Sequence, residues 1–170
     1  AGGPHAFKYG VTGAWVTGVE AVLPPGRIIR SGGPVRKDVS GYDVRSLMVG
    51  SEGTLGIVTS AWLRLIPAPE ARYPVAAFYK GPEQGCAAIL RVLEAGLQPA
   101  TLEYLDGATF RAARAGFPVD PPEGHGFLVI AEADGTEAGA AELRSELLEV
   151  LEDGAGLTHS PEGPKLIGDL

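Results

Sequence analysis

The chain has 170 residues, which suits one domain or two small ones. A hydrophobic content of 45% with 21% charged residues is that of an ordinary folded protein, and a net charge of −7 argues against general nucleic-acid binding. No run approaches the roughly 18 apolar residues of a membrane span, and the lone Cys86 excludes an internal disulfide and a four-cysteine zinc site; it fits a reducing cytoplasm.

Charge divides the chain. Residues 1–70 hold seven Lys/Arg against five Asp/Glu, and residues 71–170 hold seven against sixteen. The step falls near Pro67-Ala68-Pro69 and reads as a boundary. The first part also holds 12 of the 25 glycines, clustered as Gly2-Gly3, Gly32-Gly33 and Gly50, Gly53, Gly56. Glycine serves where φ is positive or where backbone approaches something closely.

In chain order, the Val-rich stretch Trp15 to Leu23 predicts a strand, Pro24-Pro25-Gly26 a turn, and Arg27 to Arg30 the returning arm of a hairpin. Tyr42 to Val49 predicts a short helix with Val44, Leu47 and Met48 on one side. Gly56 to Ile66 predicts a long strand that Pro67 and Pro69 end. Tyr73 to Tyr79 predicts a strand. Pro82 to Ala95 predicts a helix burying Cys86, Ile89, Leu90 and Leu93 at i, i+3, i+4 and i+7. Thr101 to Leu105 is a candidate strand, and Asp106 to Ala115 a short helix capped by Asp106. Phe127 to Ala133 predicts a strand. Thr136 to Glu152 predicts a helix with Leu143, Leu147, Val150 and Leu151 inward. This order is that of an α+β sandwich with helices on one sheet face.

The stretch Gly50-Ser51-Glu52-Gly53-Thr54-Leu55-Gly56-Ile57-Val58-Thr59 is a glycine-rich turn running into a strand. Backbone N–H groups in such a turn can form an anion-binding concavity. It lacks the Gly-Lys-Ser/Thr of a P-loop and does not precede a helix as G-x-G-x-x-G does. Glu52 disfavours side-chain contact with a phosphate.

With the Pro67-Ala68-Pro69 that follows, this stretch closely resembles FAD-linked oxidases of the vanillyl-alcohol-oxidase type. Ala1-Gly2-Gly3, Lys8-Tyr9-Gly10 and Ser40-Gly41-Tyr42-Asp43 add matches in the same order. Phe117-Pro118-Val119-Asp120 and Glu132-Ala133-Asp134-Gly135 extend the resemblance to about residue 153. Within that type the chain is similar to the group of glycolate oxidase FAD subunits and D-lactate dehydrogenases. The resemblance implies that residues 1–70 are the C-terminal half of a two-part FAD-binding domain. It implies that residues 71–170 are a ferredoxin-like, N-terminal part of the substrate (cap) domain. It puts Ala1, Gly2, Gly3, Glu52, Gly53, Gly56 and Ile57 along FAD, the first three beside the flavin–ribityl–pyrophosphate path and the backbone near Ile57 at the adenine end. The implied reaction oxidises a small 2-hydroxy acid, glycolate or D-lactate in type, with electrons passing to an acceptor or to other oxidase subunits. A cytoplasmic location follows, with the membrane reached only through partners.

Two departures stand beside these matches. The family's pyrophosphate loop lies upstream of Ala-Gly-Gly, and the chain opens at Ala1 without an initiator Met or a signal-peptide pattern; a piece of a longer protein is expected. The family's downstream histidine cluster has no counterpart: His5, His125 and His159 lack metal-ligand spacing and read as solvated loop histidines. No metal site and no catalytic residue is therefore assigned. Glu103 reads as a solvated acid, Tyr9 and Tyr42 as core or flavin-stacking residues, Cys86 as a buried small hydrophobe, and Arg36-Lys37 as a solvated turn. The alternatives are a non-catalytic assembly module that binds no FAD and a same-fold flavoenzyme with another substrate.

Overall fold

A computed structural model describes residues 2–113, 117 and 119–161. The chain separates into two compact units. One comprises Ala1–Gly3 and Gly10–Pro67; the other comprises Pro4–Tyr9 and the residues from Ala68 onward.

The first unit is a three-stranded antiparallel sheet in the order β2-β1-β3, formed by β1 (Val16–Leu23), β2 (Arg27–Gly32) and β3 (Ile57–Leu63). Val16, Val19 and Ala21 of β1 and Met48 form its core. Register shifts at Val16/Gly18 and Glu20/Ala21 break the strict alternation of β1; such bulges re-aim side chains. The strand expected to reach Ile66 ends at Leu63, and Leu63 and Leu65 are exposed. Glycine at one pair is dictated by crowding. Gly18 faces Gly32 across the β1–β2 ladder, and a Cβ on Gly18 would lie 2.4 Å from the Gly33 nitrogen.

The helix expected from Tyr42 forms as α2 (Val44–Met48), after the short helix α1 (Ala6–Tyr9) of the other unit. Only Met48 is buried; Leu47 is exposed, because one and a half turns cannot bury every apolar residue on that side. The Asp43 side chain caps α2 by accepting the Ser46 N–H at 3.0 Å, and it also accepts the Ser46 hydroxyl and an Arg45 N–H. The Ser46 hydroxyl, then Arg45, lower its carboxyl from an ordinary 3.8 to about 2. A depressed carboxyl stabilises the fold above its unfolded value and loses that contribution as pH falls through the folded one. The melting-temperature gap between wild type and Asp43→Ala should thus be open at pH 5 and closed by about pH 2. A gap that persisted unchanged in acid would refute the cap's role.

The second unit is a four-stranded antiparallel sheet, β4 (Ala71–Tyr79), β5 (Thr101–Leu105), β6 (Phe127–Gly135) and β7 (Leu157–His159), in the order β5-β6-β4-β7. With α3 (Pro82–Glu94) and α5 (Glu137–Glu152) at the two crossovers, this is the βαββαβ order of a ferredoxin-like sandwich. A further helix, α4 (Gly107–Ala113), follows β5, with Asp106 accepting the Thr109 N–H at 2.7 Å. The Thr109 bonds hold the Asp106 carboxyl below its usual range. Residues 114–115 of the helix expected there lie outside the described residues. β7 was not foreseen; its three residues carry no alternation.

Period-2 alternation gives the sheet two distinct faces. Tyr73, Val75, Ala77 and Tyr79 of β4 and Phe127, Val129, Ala131 and Ala133 of β6 pack with Val92 of α3 and Leu147 and Leu151 of α5. Tyr79 donates its hydroxyl to the Leu151 carbonyl at 2.6 Å, and burial pushes the phenol up to about 12. The opposite face holds Ala76, Phe78 and Leu128 with Phe110, and beside them the buried Glu132 and Asp134.

The α3 stripe departs from expectation. Cys86 is exposed, as are Leu90 and Leu93, and the buried residues are Gly85, Ala88 and Val92. The helix is turned so that its small residues meet the sheet. A Cβ on Gly85 would lie 2.1 Å from Phe127 Cδ1.

Candidate functional site

The glycine motif of the first unit folds as a tight turn between α2 and β3. The Ser51 N–H donates to the Met48 carbonyl at 3.2 Å, and the Thr54 N–H to the Ser51 carbonyl at 3.0 Å. Among the described residues, the N–H groups of Glu52 and Gly53 make no such bond. Gly50 (φ +89°) and Gly53 (φ +79°) are left-handed, and a Cβ on either would meet nothing within 4 Å. Backbone conformation, not room, calls for glycine there. Glu52 shares the region at φ 53°. Gly56 is glycine for another reason: its Cβ would lie 2.6 Å from the Val22 carbonyl oxygen of β1.

Beside this turn lies an open depression of about 440 Å³. Val19, Met48, Ile57 and Val58 give it an apolar wall, and Gly50, Glu52, Gly53 and Gly56 give it a backbone edge. Four residues singled out from sequence, Glu52, Gly53, Gly56 and Ile57, therefore meet at one place. Gly2 and Gly3 are exposed and do not line it. Ala1 lies outside the described residues.

A second constellation lies in the other unit, on the face of the sheet opposite α3 and α5. Glu132 and Asp134, two apart on β6, are buried. His5 Nε2 is 3.0 Å from Glu132 Oε1, and an Arg72 guanidinium nitrogen is 3.9 Å from the same oxygen. Lys8 and the Tyr9 hydroxyl both bond the Asp134 carboxylate. Burial first, then the bond to Asp134, pushes the Tyr9 phenol up to about 12, so it remains a donor at neutral pH. Among the described residues, the buried Glu132 Oε2 and Thr101 Oγ1 have no hydrogen-bond partner, although Thr101 and Glu132 are register partners on β5 and β6. Such orphans are uncommon in folded proteins.

Three residues read from sequence can now be placed. His5 is a turn histidine with its side chain 39% exposed, and a buried carboxylate bonds its ring. Tyr9 is not core: it is half-buried, and its hydroxyl is committed to Asp134. Tyr42 is 96% exposed and so is not core. His125 is engaged locally, with Nδ1 3.0 Å from the Glu123 carbonyl. The signal in sequence was present: Glu132 and Asp134 fall on one face of a strand whose other residues are apolar. Two acids at period 2 in such a strand call for partners. Their partners, residues 5 to 9, are too distant in sequence to be read as such. Among the described residues, no three His, Cys, Asp or Glu side chains converge as metal ligands, and no helix is long and apolar enough to cross a membrane.

Comparison with known proteins bears on both parts. Residues 68–162 match the family described as "FAD linked oxidases, C-terminal domain". The chain is 42% identical over 134 residues to glycolate oxidase subunit GlcD of Bacillus subtilis, covering 79% of this chain and 28% of that protein. It is 41% identical over 106 residues to a D-lactate dehydrogenase of Anaerostipes hadrus, covering 62% of this chain and 22% of that one. The chain thus spans about a quarter of the length of these curated relatives. Among solved structures, an alkyldihydroxyacetonephosphate synthase superposes with a TM-score of 0.73 at 18% identity, over 96% of this chain and 32% of that one. A p-cresol methylhydroxylase does so with 0.62 at 16%, over 86% and 34%. These two likenesses carry the fold. The family match covers more than half of the chain, and with the ferredoxin-like sheet it shows that the chain belongs to the FAD-linked oxidases and carries their C-terminal-domain sequence from residue 68.

Proposed function

We propose that this chain is part of an FAD-dependent enzyme that oxidises a small 2-hydroxy acid of the glycolate or D-lactate type. In this reading residues 1–70 supply the C-terminal half of the FAD-binding domain and residues 71–170 begin the substrate domain. The observation that carries it is the glycine-edged apolar depression of the first unit. Its wall of Val19, Met48, Ile57 and Val58 suits a flat aromatic ring, and left-handed glycines keep side chains off its edge. The Glu52 carboxylate on that edge opposes a phosphate. The residues present fit an aromatic part of FAD and not its pyrophosphate. Glu52, Gly53, Gly56 and Ile57 would hold that part through backbone and apolar contact, with Ala1, Gly2 and Gly3 along the remainder of the cofactor. Bound FAD would supply the hydride acceptor; the protein supplies orientation and electrostatics.

The hydroxy-acid substrate is supported by the names of the similar proteins, glycolate oxidase subunit GlcD and D-lactate dehydrogenase. The word subunit in the first supports partner subunits or a separate electron acceptor. A cytoplasmic location, with any membrane contact made through partners, belongs to the same proposal.

The test is titration of the chain with FAD, followed by flavin fluorescence. Wild type should quench it. Gly53→Val should bind about tenfold more weakly, since a side chain at a left-handed φ costs about 1–2 kcal/mol. A chain that quenches no added flavin would leave the assembly-module reading standing. Because the fold is shared with an alkyldihydroxyacetonephosphate synthase, turnover of glycolate and D-lactate by the complete enzyme decides the substrate class.

A further inference from the structure

The segment Pro4–Tyr9 packs with the residues from Ala68 onward, although Gly3 before it and Gly10 after it belong to the other unit. Little in the segment itself explains this. Its helix α1 has four residues, none of them buried, too few to persist alone. Phe7 is 43% exposed, so apolar burial does not hold the segment down.

Polar contacts do. Glu132 and Asp134 have side chains 1% exposed, and a buried carboxylate is tolerated only when paired. Both side-chain bonds to Asp134 come from the segment, through Lys8 and Tyr9, and Lys8 also reaches the Asp134 carbonyl at 3.4 Å. Among the described residues, Glu132 has His5 at 3.0 Å and, from the sheet itself, the more distant Arg72 at 3.9 Å. The polar half of this sheet face is completed by residues 5, 8 and 9, which lie before the family match that begins at residue 68.

We propose that Asp134 and Glu132 are positioning residues: they clasp Pro4–Tyr9 onto β6 and, through the chain, fix the path of the Gly2–Gly3 backbone along FAD. The flavin end of this proposal rests on the reading of the function given above. Asp134 acts through Lys8 and Tyr9, and Glu132 acts through His5.

Amide hydrogen exchange on the whole chain separates the clasp from general stability. Asp134→Asn keeps the shape of the side chain and removes its charge. Exchange at Phe7 to Gly10 should accelerate about tenfold, while the central amides of β4 and β6 change about twofold or less. Equal acceleration everywhere, as a purely structural residue would give, overturns the proposal, and so does no acceleration. If Asp134→Asn fails to fold, Tyr9→Phe removes one hydrogen bond and keeps both charges; the same localised pattern is then expected at smaller amplitude, and its absence overturns the proposal. FAD titration of the same proteins reads the other end. Binding weakened about tenfold by Asp134→Asn supports the link to the cofactor, and equal binding removes it. Wild type that binds no FAD sinks the functional reading, and the exchange pattern still decides whether the clasp exists.

Discussion

Gly85→Val is expected to destabilise the second unit by about 2–4 kcal/mol, the overpacking range with a β-branched helix residue added. Gly85 is buried on α3 and faces Phe127 of β6. The contact leaves no space: the added Cβ alone would lie 2.1 Å and 2.3 Å from two carbons of the Phe127 ring. Nor is the ring free to swing aside. Phe127 is 3% exposed and stacks on Tyr104 with centroids 5.2 Å apart and planes at 12°. Either α3 moves off the sheet or the ring leaves its place, and both open contacts around Val92 and Leu147. The measurement is denaturant unfolding of wild type, Gly85→Val, Phe127→Leu and the double variant. Trimming the ring should recover part of the loss, giving a favourable coupling between the two positions. Strict additivity would show that the clash is not the cause.

The same contact explains one boundary of what sequence can tell. The periodicity of Cys86, Ile89, Leu90 and Leu93 located a helix and gave its length within a residue. It placed Ile89 against the core but missed with Cys86, Leu90 and Leu93, because larger side chains outweigh glycine and alanine in any hydrophobic count. The sheet instead selects the face that lets α3 approach Phe127 most closely. α5 was read correctly because its sheet-facing residues include the large Leu147 and Leu151. The α+β class was legible from the succession of elements, but the fourth strand of the sheet, β7, was not, so the strand order came only with the structure.

The candidate site divides in the same way. Glu52, Gly53, Gly56 and Ile57 are near neighbours in sequence, so one turn brings them together, and their convergence was legible. The pairings of Lys8 and Tyr9 with Asp134, and of His5 with Glu132, join residues about 125 apart. Both stretches stood out as motifs, yet nothing local in either says that they meet. A histidine among small and basic residues looks solvated until the fold lays a buried carboxylate beside it.

Gly32→Val is expected to remove about 2–5 kcal/mol from the first unit, from backbone strain and overpacking together. Gly32 has φ +71°, where a β-branched residue is strained regardless of space. Space is lacking as well: its Cβ would lie 2.2 Å from the Thr17 carbonyl oxygen and 2.9 Å from the Gly18 Cα. Backbone atoms cannot rotate away as the end of a side chain can, and β1 is held from its other edge by β3. Ala in place of Val keeps both faults and should recover only the β-branch. The core of this unit is small, with Val16, Val19, Ala21 and Met48 as its buried apolar residues, so a loss of this size is a large share of what holds the sheet. Val19 and Met48 also wall the apolar depression. Flavin quenching, where wild type shows it, should therefore disappear in Gly32→Val, while the exchange-protected amides of β4 and β6 in the second unit keep their protection. Flavin binding that survived loss of the β1–β2 ladder would place the cofactor contact away from this depression.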